Sequence, residues 1–110
     1  MENLANKKCI PCETAADPLK GEEIKALSKR VDKNWDVIGE KKIERKFSFK
    51  DFKENMIFVN KIAEVAEADE HHPDLFISYS KLTVTLLTHN IGGLSENDFI
   101  VAAKIDQLAH

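Results

Sequence analysis

The sequence predicts an α+β domain, a four-stranded antiparallel sheet with three helices packed on one face, in the order α-β-β-α-β-β-α. Three observations predict it. A long stretch of helical periodicity sits mid-chain, two pairs of short strand-like runs flank it, and a strong helix-start pattern lies near the C-terminus. The 110 residues suffice for one domain. Residues 1–18 read as an irregular arm, carrying Pro11 and Pro18 and little periodicity, and residues 19–110 as the single folded domain.

The first helix is expected from about Glu22 to Lys33, with Ile24, Leu27 and Val31 on one stripe. Trp35, Val37 and Ile38 suggest a short strand, and Gly39 with charged neighbours a turn. Residues 43–49 read as a second strand with Ile43, Phe47 and Phe49 on one face. Arg45 interrupts that face, which points to an exposed or edge strand. The long helix is expected from about Lys50 to Ala68, where Phe52, Met56, Val59, Ala63 and Ala66 keep a 4-3-4-3 spacing. Pro73 stops its continuation. Two further strands are expected at about Leu75–Ser80 and Leu82–Leu87, either as a tight hairpin or as one long bent strand. Ser95-Glu96-Asn97-Asp98 fits a capping box, and Leu94 with Phe99 a hydrophobic staple. Phe99, Ala102, Ala103 and Ile105 then face inward.

Composition excludes several classes of function. Net charge is −3, so no positive field gathers nucleic acid or anionic lipid. No apolar run approaches the ~20 residues that cross a bilayer, and the first residues lack the apolar stretch of a signal peptide. A cytoplasmic location is the expectation. Cys9 and Cys12 form a lone C-x-x-C. It lacks the second pair that would complete a zinc site within the chain, and no strand precedes it as in redox motifs. A metal shared between subunits is the alternative.

The chemistry lies in the histidines. His71 and His72 fall in the loop closing the long helix, and His89 lies just past the fourth strand. If the last two strands pair, His72 and His89 come to the same open end of a hairpin. Imidazole titrates near pH 6.5, so one ring can accept a proton while another donates one. That division suits elimination of water, in which a base removes a proton and an acid protonates the leaving hydroxyl. A three-histidine zinc site is the rival reading, disfavoured because adjacent histidines on one loop rarely both face one metal. Other nearby residues have plain structural readings: Asp98 as the last residue of the capping box, Tyr79 as a cross-strand packing residue, Glu67 as a solvated helix end and Pro73 as a loop brace.

The spacing E-x-x-x-H-H-P, five residues to an aromatic, nine to a histidine and eight to an aspartate is met by Glu67, His71, His72, Pro73, Tyr79, His89 and Asp98. In this pattern, and in the stretches His71–Phe76 and Thr88–Ser95, the chain resembles the pterin-4a-carbinolamine dehydratases, also called dimerisation cofactors of a homeodomain transcription factor. The resemblance covers about Pro18 to Leu108. It implies a lyase that converts 4a-hydroxytetrahydropterin to quinonoid dihydropterin plus water in tetrahydrobiopterin recycling, with no metal and no organic cofactor. By analogy His71 and His89 would form the acid–base pair and His72 would position the pterin. Pro73 and the segment Thr88, His89, Asn90 and Ile91 would line the ring, with Glu67 and Asp98 in support. The resemblance also implies a homotetramer built from dimers. Some members stabilise a transcription-factor dimer, and a dimerisation cofactor on the same fold is the alternative function, although nothing in this sequence identifies such a partner. A retained histidine triad favours catalysis. In one departure, Leu75 stands where many members carry a tryptophan, which puts a wall of the pterin pocket in question.

Overall fold

The computed structural model describes residues 3–9 and 17–109. It contains helices α1 (Gly21–Ser28), α2 (Phe52–Asp69) and α3 (Glu96–Leu108) and strands β1 (Asp36–Ile38), β2 (Lys42–Ser48), β3 (Asp74–Ser78) and β4 (Lys81–Leu86). Short 3-10 turns lie at Leu4–Asn6 and His89–Ile91. The expected element order holds. The four strands form one antiparallel sheet in the spatial order β1-β2-β4-β3.

Each hairpin closes through residues in the left-handed region. Gly39, Glu40 and Lys41 link β1 to β2, with Gly39 and Glu40 both at positive φ and the Lys41 amide bonded back to the Ile38 carbonyl at 3.1 Å. Between β3 and β4 the two linking residues are Tyr79 and Ser80, with Tyr79 in the left-handed region at φ 51°. The pair is therefore a tight hairpin, not one bent strand. Tyr79 is a turn residue with its ring in solvent, not a cross-strand packing residue.

Strand alternation sorts the sheet into two faces. Ile43, Arg45 and Phe47 of β2, Leu82, Val84 and Leu86 of β4, and Leu75 and Ile77 of β3 share one face through direct pairing. All of these but Arg45 join Phe58, Ile62, Phe99, Ile100 and Ile105 from the helices in one apolar cluster. The opposite face carries Glu44, Lys46, Thr83, Thr85 and an exposed Phe76.

β2 is an interior strand, and Arg45 is buried, contrary to the exposed or edge placement its charge suggested. A charge sits on the core face because it is paired there. Arg45 Nη1 lies 2.5 Å from Asp106 Oδ1 and 3.6 Å from Asp32 Oδ2, and the guanidinium stacks 4.5 Å above the Phe47 ring. Asp106 also accepts from Trp35 Nε1 at 2.7 Å and from the Asp32 amide at 2.8 Å. This second bond takes the Asp32 backbone away from helical pairing. α1 ends at Ser28, and Val31 lies beyond the helix it was expected to extend.

The inward face of α2 is also rotated from the expected stripe. Asn55, Phe58, Val59, Ile62, Ala66 and Asp69 are buried, whereas Phe52 and Ala63 are exposed and Met56 is half-buried. Two contacts explain the rotation. Phe58 packs its ring against Phe47 and Phe49, and the Asn55 amide donates to the carbonyls of Tyr79 and Lys81 at 2.9 and 2.8 Å. α3 runs through the centre of the molecule, buried along most of its length. Leu94 and Phe99 are both fully buried, as a staple requires. Within the segment read as an irregular arm, Leu4 is 1% exposed and packs into the core, and Lys7 pairs with Glu96 of α3. Pro11 and Cys12 lie outside the described residues.

Candidate active site

The end of α2 sets the positions of two histidines. Glu70 adopts a left-handed conformation (φ 53°, ψ 35°), its amide bonding back to the Ala66 and Glu67 carbonyls, and the His71 amide reaches the Ala66 carbonyl at 3.2 Å. These are the paired bonds of a Schellman closure, with glutamate where glycine is usual. The reversal turns His71 inward and His72 outward. His71 is 8% exposed, with Nε2 2.6 Å from Asp98 Oδ1. The His72 side chain is 59% exposed and meets Glu67 Oε1 at 2.8 Å on the surface.

Asp98 belongs to the first turn of α3 and is fully buried. The capping-box reading is correct but incomplete. Its Oδ2 accepts from the Ser95 amide at 2.9 Å, closing the box, and from the Thr88 hydroxyl at 2.9 Å, while Oδ1 faces His71. One carboxylate thus caps α3, holds the loop after β4 and meets the buried imidazole. Capping alone would have left the second oxygen free for solvent.

The loop after β4 is a compact turn. The Thr88 amide donates to the Gly93 carbonyl at 2.8 Å, the Ile91 amide returns to the Thr88 carbonyl, and Gly92 takes φ 68°. His89 and Asn90 stand exposed on its outer side, Ile91 is half-buried and Thr88 points inward. Pro18 braces the loop from behind, and a Cβ added at Gly93 would lie 2.8 Å from Pro18 Cβ. The β3–β4 register pairs Asp74 with Thr85, so the residues before β3 and after β4 emerge at one end of the hairpin. His71, His72 and Pro73 lead into that end and Thr88 to Ile91 leave it. Tyr79 occupies the opposite end, about 16 Å along the strands at ~3.3 Å per residue. Leu75 points to the core face opposite Val84 and is half-buried. Cys9 is half-buried with Sγ 3.7 Å from the Asn97 carbonyl.

The motif residues other than Tyr79 thus gather around one hairpin end, and residues 17–108 match the family described as pterin 4 alpha carbinolamine dehydratase. The chain belongs to the pterin-4a-carbinolamine dehydratase family. Among its relatives, a provisionally named pterin-4-alpha-carbinolamine dehydratase of Alkaliphilus metalliredigens is 48% identical over 107 residues, spanning 97% of this chain and 96% of its own. A protein of the same provisional name from Nitrosospira multiformis is 49% identical over 108 residues, covering 98% of this chain and 94% of its own. The crystal structure of a transcriptional coactivator/pterin dehydratase from Brucella melitensis superposes with a TM-score of 0.79 at 34% identity, over 86% of this chain and all of that one. A pterin dehydratase-like protein identified as a RuBisCO assembly factor in the alpha-carboxysome shares the fold, with a TM-score of 0.59 at 22% identity over 69% of this chain and 89% of its own. Membership in the pterin-4a-carbinolamine dehydratase family makes the chain an enzyme of the hydro-lyase class, acting on pterin carbinolamines. No helix among the described residues is long and apolar enough to cross a membrane.

Proposed function

We propose that the chain converts 4a-hydroxytetrahydropterin to quinonoid dihydropterin plus water, with His71 and His89 as the acid–base pair and His72 positioning the pterin. The observation that carries this reading is the pairing of His71 with buried Asp98 at the hairpin end that also presents His89. A carboxylate against one ring nitrogen fixes an imidazole's orientation and leaves the other nitrogen for chemistry. The two rings differ in setting, His71 enclosed and His89 in solvent. Such a difference suits one proton acceptor and one donor in an elimination. Pro73 and the turn Thr88–Ile91 lie against the ring, and Glu67 supports His72. The catalysis rests on side chains alone, without metal or organic cofactor. It serves tetrahydrobiopterin recycling in the cytoplasm.

The functional unit is a homotetramer, a dimer of dimers. Among the described residues no strand pairs with the outer edges of β1 and β3; these edges and the exposed Phe52, Ile57 and Phe76 support association.

The test is stopped-flow absorbance of freshly made 4a-hydroxytetrahydropterin, with and without the protein. Acceleration that disappears in the His71→Ala, His89→Ala double variant is the expected result. A folded protein that gives no acceleration would overturn the reading. The coactivator named in the Brucella melitensis relative supports a second reading, a partner-binding role on the same fold. The double variant separates the two, because a scaffold keeps its partner when the histidines are lost.

A further inference from the structure

The geometry points to Thr88 as a positioning residue that acts through Asp98 to hold His71 in one tautomer, with Nδ1 as the nitrogen turned to substrate. The inference rests on the proposed role of His71 in the dehydration, and it follows from counting protons around a closed set of side chains. Asp98 Oδ2 accepts two hydrogen bonds, from the Ser95 amide and from Thr88 Oγ1. The threonine hydroxyl has one proton, and the carboxylate takes it. Thr88 Oγ1 also lies 2.7 Å from Ser95 Oγ. With its own proton committed, Thr88 accepts there, so Ser95 donates. The Asp98 amide itself bonds the Ser95 carbonyl at 3.1 Å, and so makes no demand on either hydroxyl. Every proton in this ring has one consistent direction.

The ring leaves Oδ1 of Asp98 as the acceptor for His71. A carboxylate accepts and does not donate, so the proton between Oδ1 and Nε2 belongs to the imidazole. His71 in its neutral form is therefore the Nε2–H tautomer, and Nδ1 carries the lone pair. Among the described residues His71 meets its hydrogen-bond partner through Nε2 and not through Nδ1. Thr88 is 3% exposed, and its main chain is tied to both Gly93 and Ile91. Its hydroxyl is thus aimed at Asp98 by the turn that also carries His89, and one short segment sets both histidines. Without the hydroxyl, Oδ2 keeps only the Ser95 amide, and the carboxylate gains freedom to rotate away from Nε2.

The experiment uses the full chain labelled with 15N-histidine and read by long-range proton–nitrogen correlation without substrate, alongside stopped-flow turnover. The wild-type His71 ring is expected as Nε2–H with an unprotonated Nδ1. Thr88→Val, which keeps the shape and removes the hydroxyl, is expected to give a mixed tautomer signal and a roughly tenfold lower kcat with KM within about twofold, the loss of one charge-assisted hydrogen bond. Thr88→Ser restores both. An Nδ1–H ring in the wild type overturns the inference even if Thr88→Val fails to fold. A folded Thr88→Val with unchanged tautomer and kcat overturns it too. An Nε2–H ring that loses definition in Thr88→Val, in a protein that does not turn over the pterin, supports the positioning role and sinks only the assignment of substrate.

Discussion

Arg45 on the middle of β2 and Asp106 near the end of α3 form a buried ion pair that ties the sheet to the central helix. Asp106 serves three donors at once, Arg45, Trp35 Nε1 and the Asp32 amide. Removing it leaves the buried guanidinium only its longer contact to Asp32 and strands an indole N–H and a backbone amide. Asp106→Ala is expected to cost about 3–5 kcal/mol, the range for breaking a buried pair from one side. Urea denaturation followed by tryptophan fluorescence reads this directly, since Trp35 sits at the pair. A loss below about 1 kcal/mol would show that the pair is dispensable.

Asp98→Asn keeps the shape of the side chain but replaces one acceptor oxygen by a donor. The amide cannot accept from His71 and from both Thr88 and Ser95. The rate of pterin dehydration is expected to fall on the order of 10²-fold, mainly in kcat. Asp98→Ala should in addition cost about 2–4 kcal/mol in stability through the lost cap and the unpaired buried donors.

Asn55 makes a stability prediction remote from the chemistry. Its buried amide holds the carbonyls of Tyr79 and Lys81 at the hairpin tip, far from His71. Asn55→Ala is expected to cost about 2–3 kcal/mol and to leave kcat of the folded protein within about twofold. A large drop in kcat at unchanged stability would contradict the separation of tip and site.

Gly93 tests the brace behind the active-site turn. Gly93→Ala places a methyl against Pro18 and is expected to cost about 1–3 kcal/mol, as overpacking does. Turnover should fall with it, because Gly93 pairs with Thr88. Pro18→Gly in the same chain removes the clashing atom and should restore most of both losses. Failure of that rescue would locate the defect elsewhere.

Much of the fold was legible because it is written in local pattern. The capping box at Ser95 and the Leu94–Phe99 staple mark the start of α3. Gly39 marks the first hairpin turn, and the order of helices and strands follows from periodicity. What escaped were positions where a polar group is inward because a distant residue meets it. Arg45 looks like an edge residue until Asp106, 61 positions away, is beside it. Asn55 displaces the apolar stripe of α2 because the hairpin tip needs two donors. At the site, the histidines are legible from their spacing. Thr88 is named there only as part of a segment, because its link to Asp98 depends on a helix start and a strand end converging.

The strand order β1-β2-β4-β3 places the sheet's central seam between strands separated by all of α2. A chain emerging from the ribosome completes the first hairpin and the long helix while the inner edge of β2, with Ile43 and Phe47, still lacks its neighbour. That edge stays open until β4 has been synthesised, some 40 residues later, or about 2–8 s at ordinary translation rates. The nascent protein therefore spends its most association-prone interval with its future centre exposed, and that seam is the segment a holding chaperone would meet first.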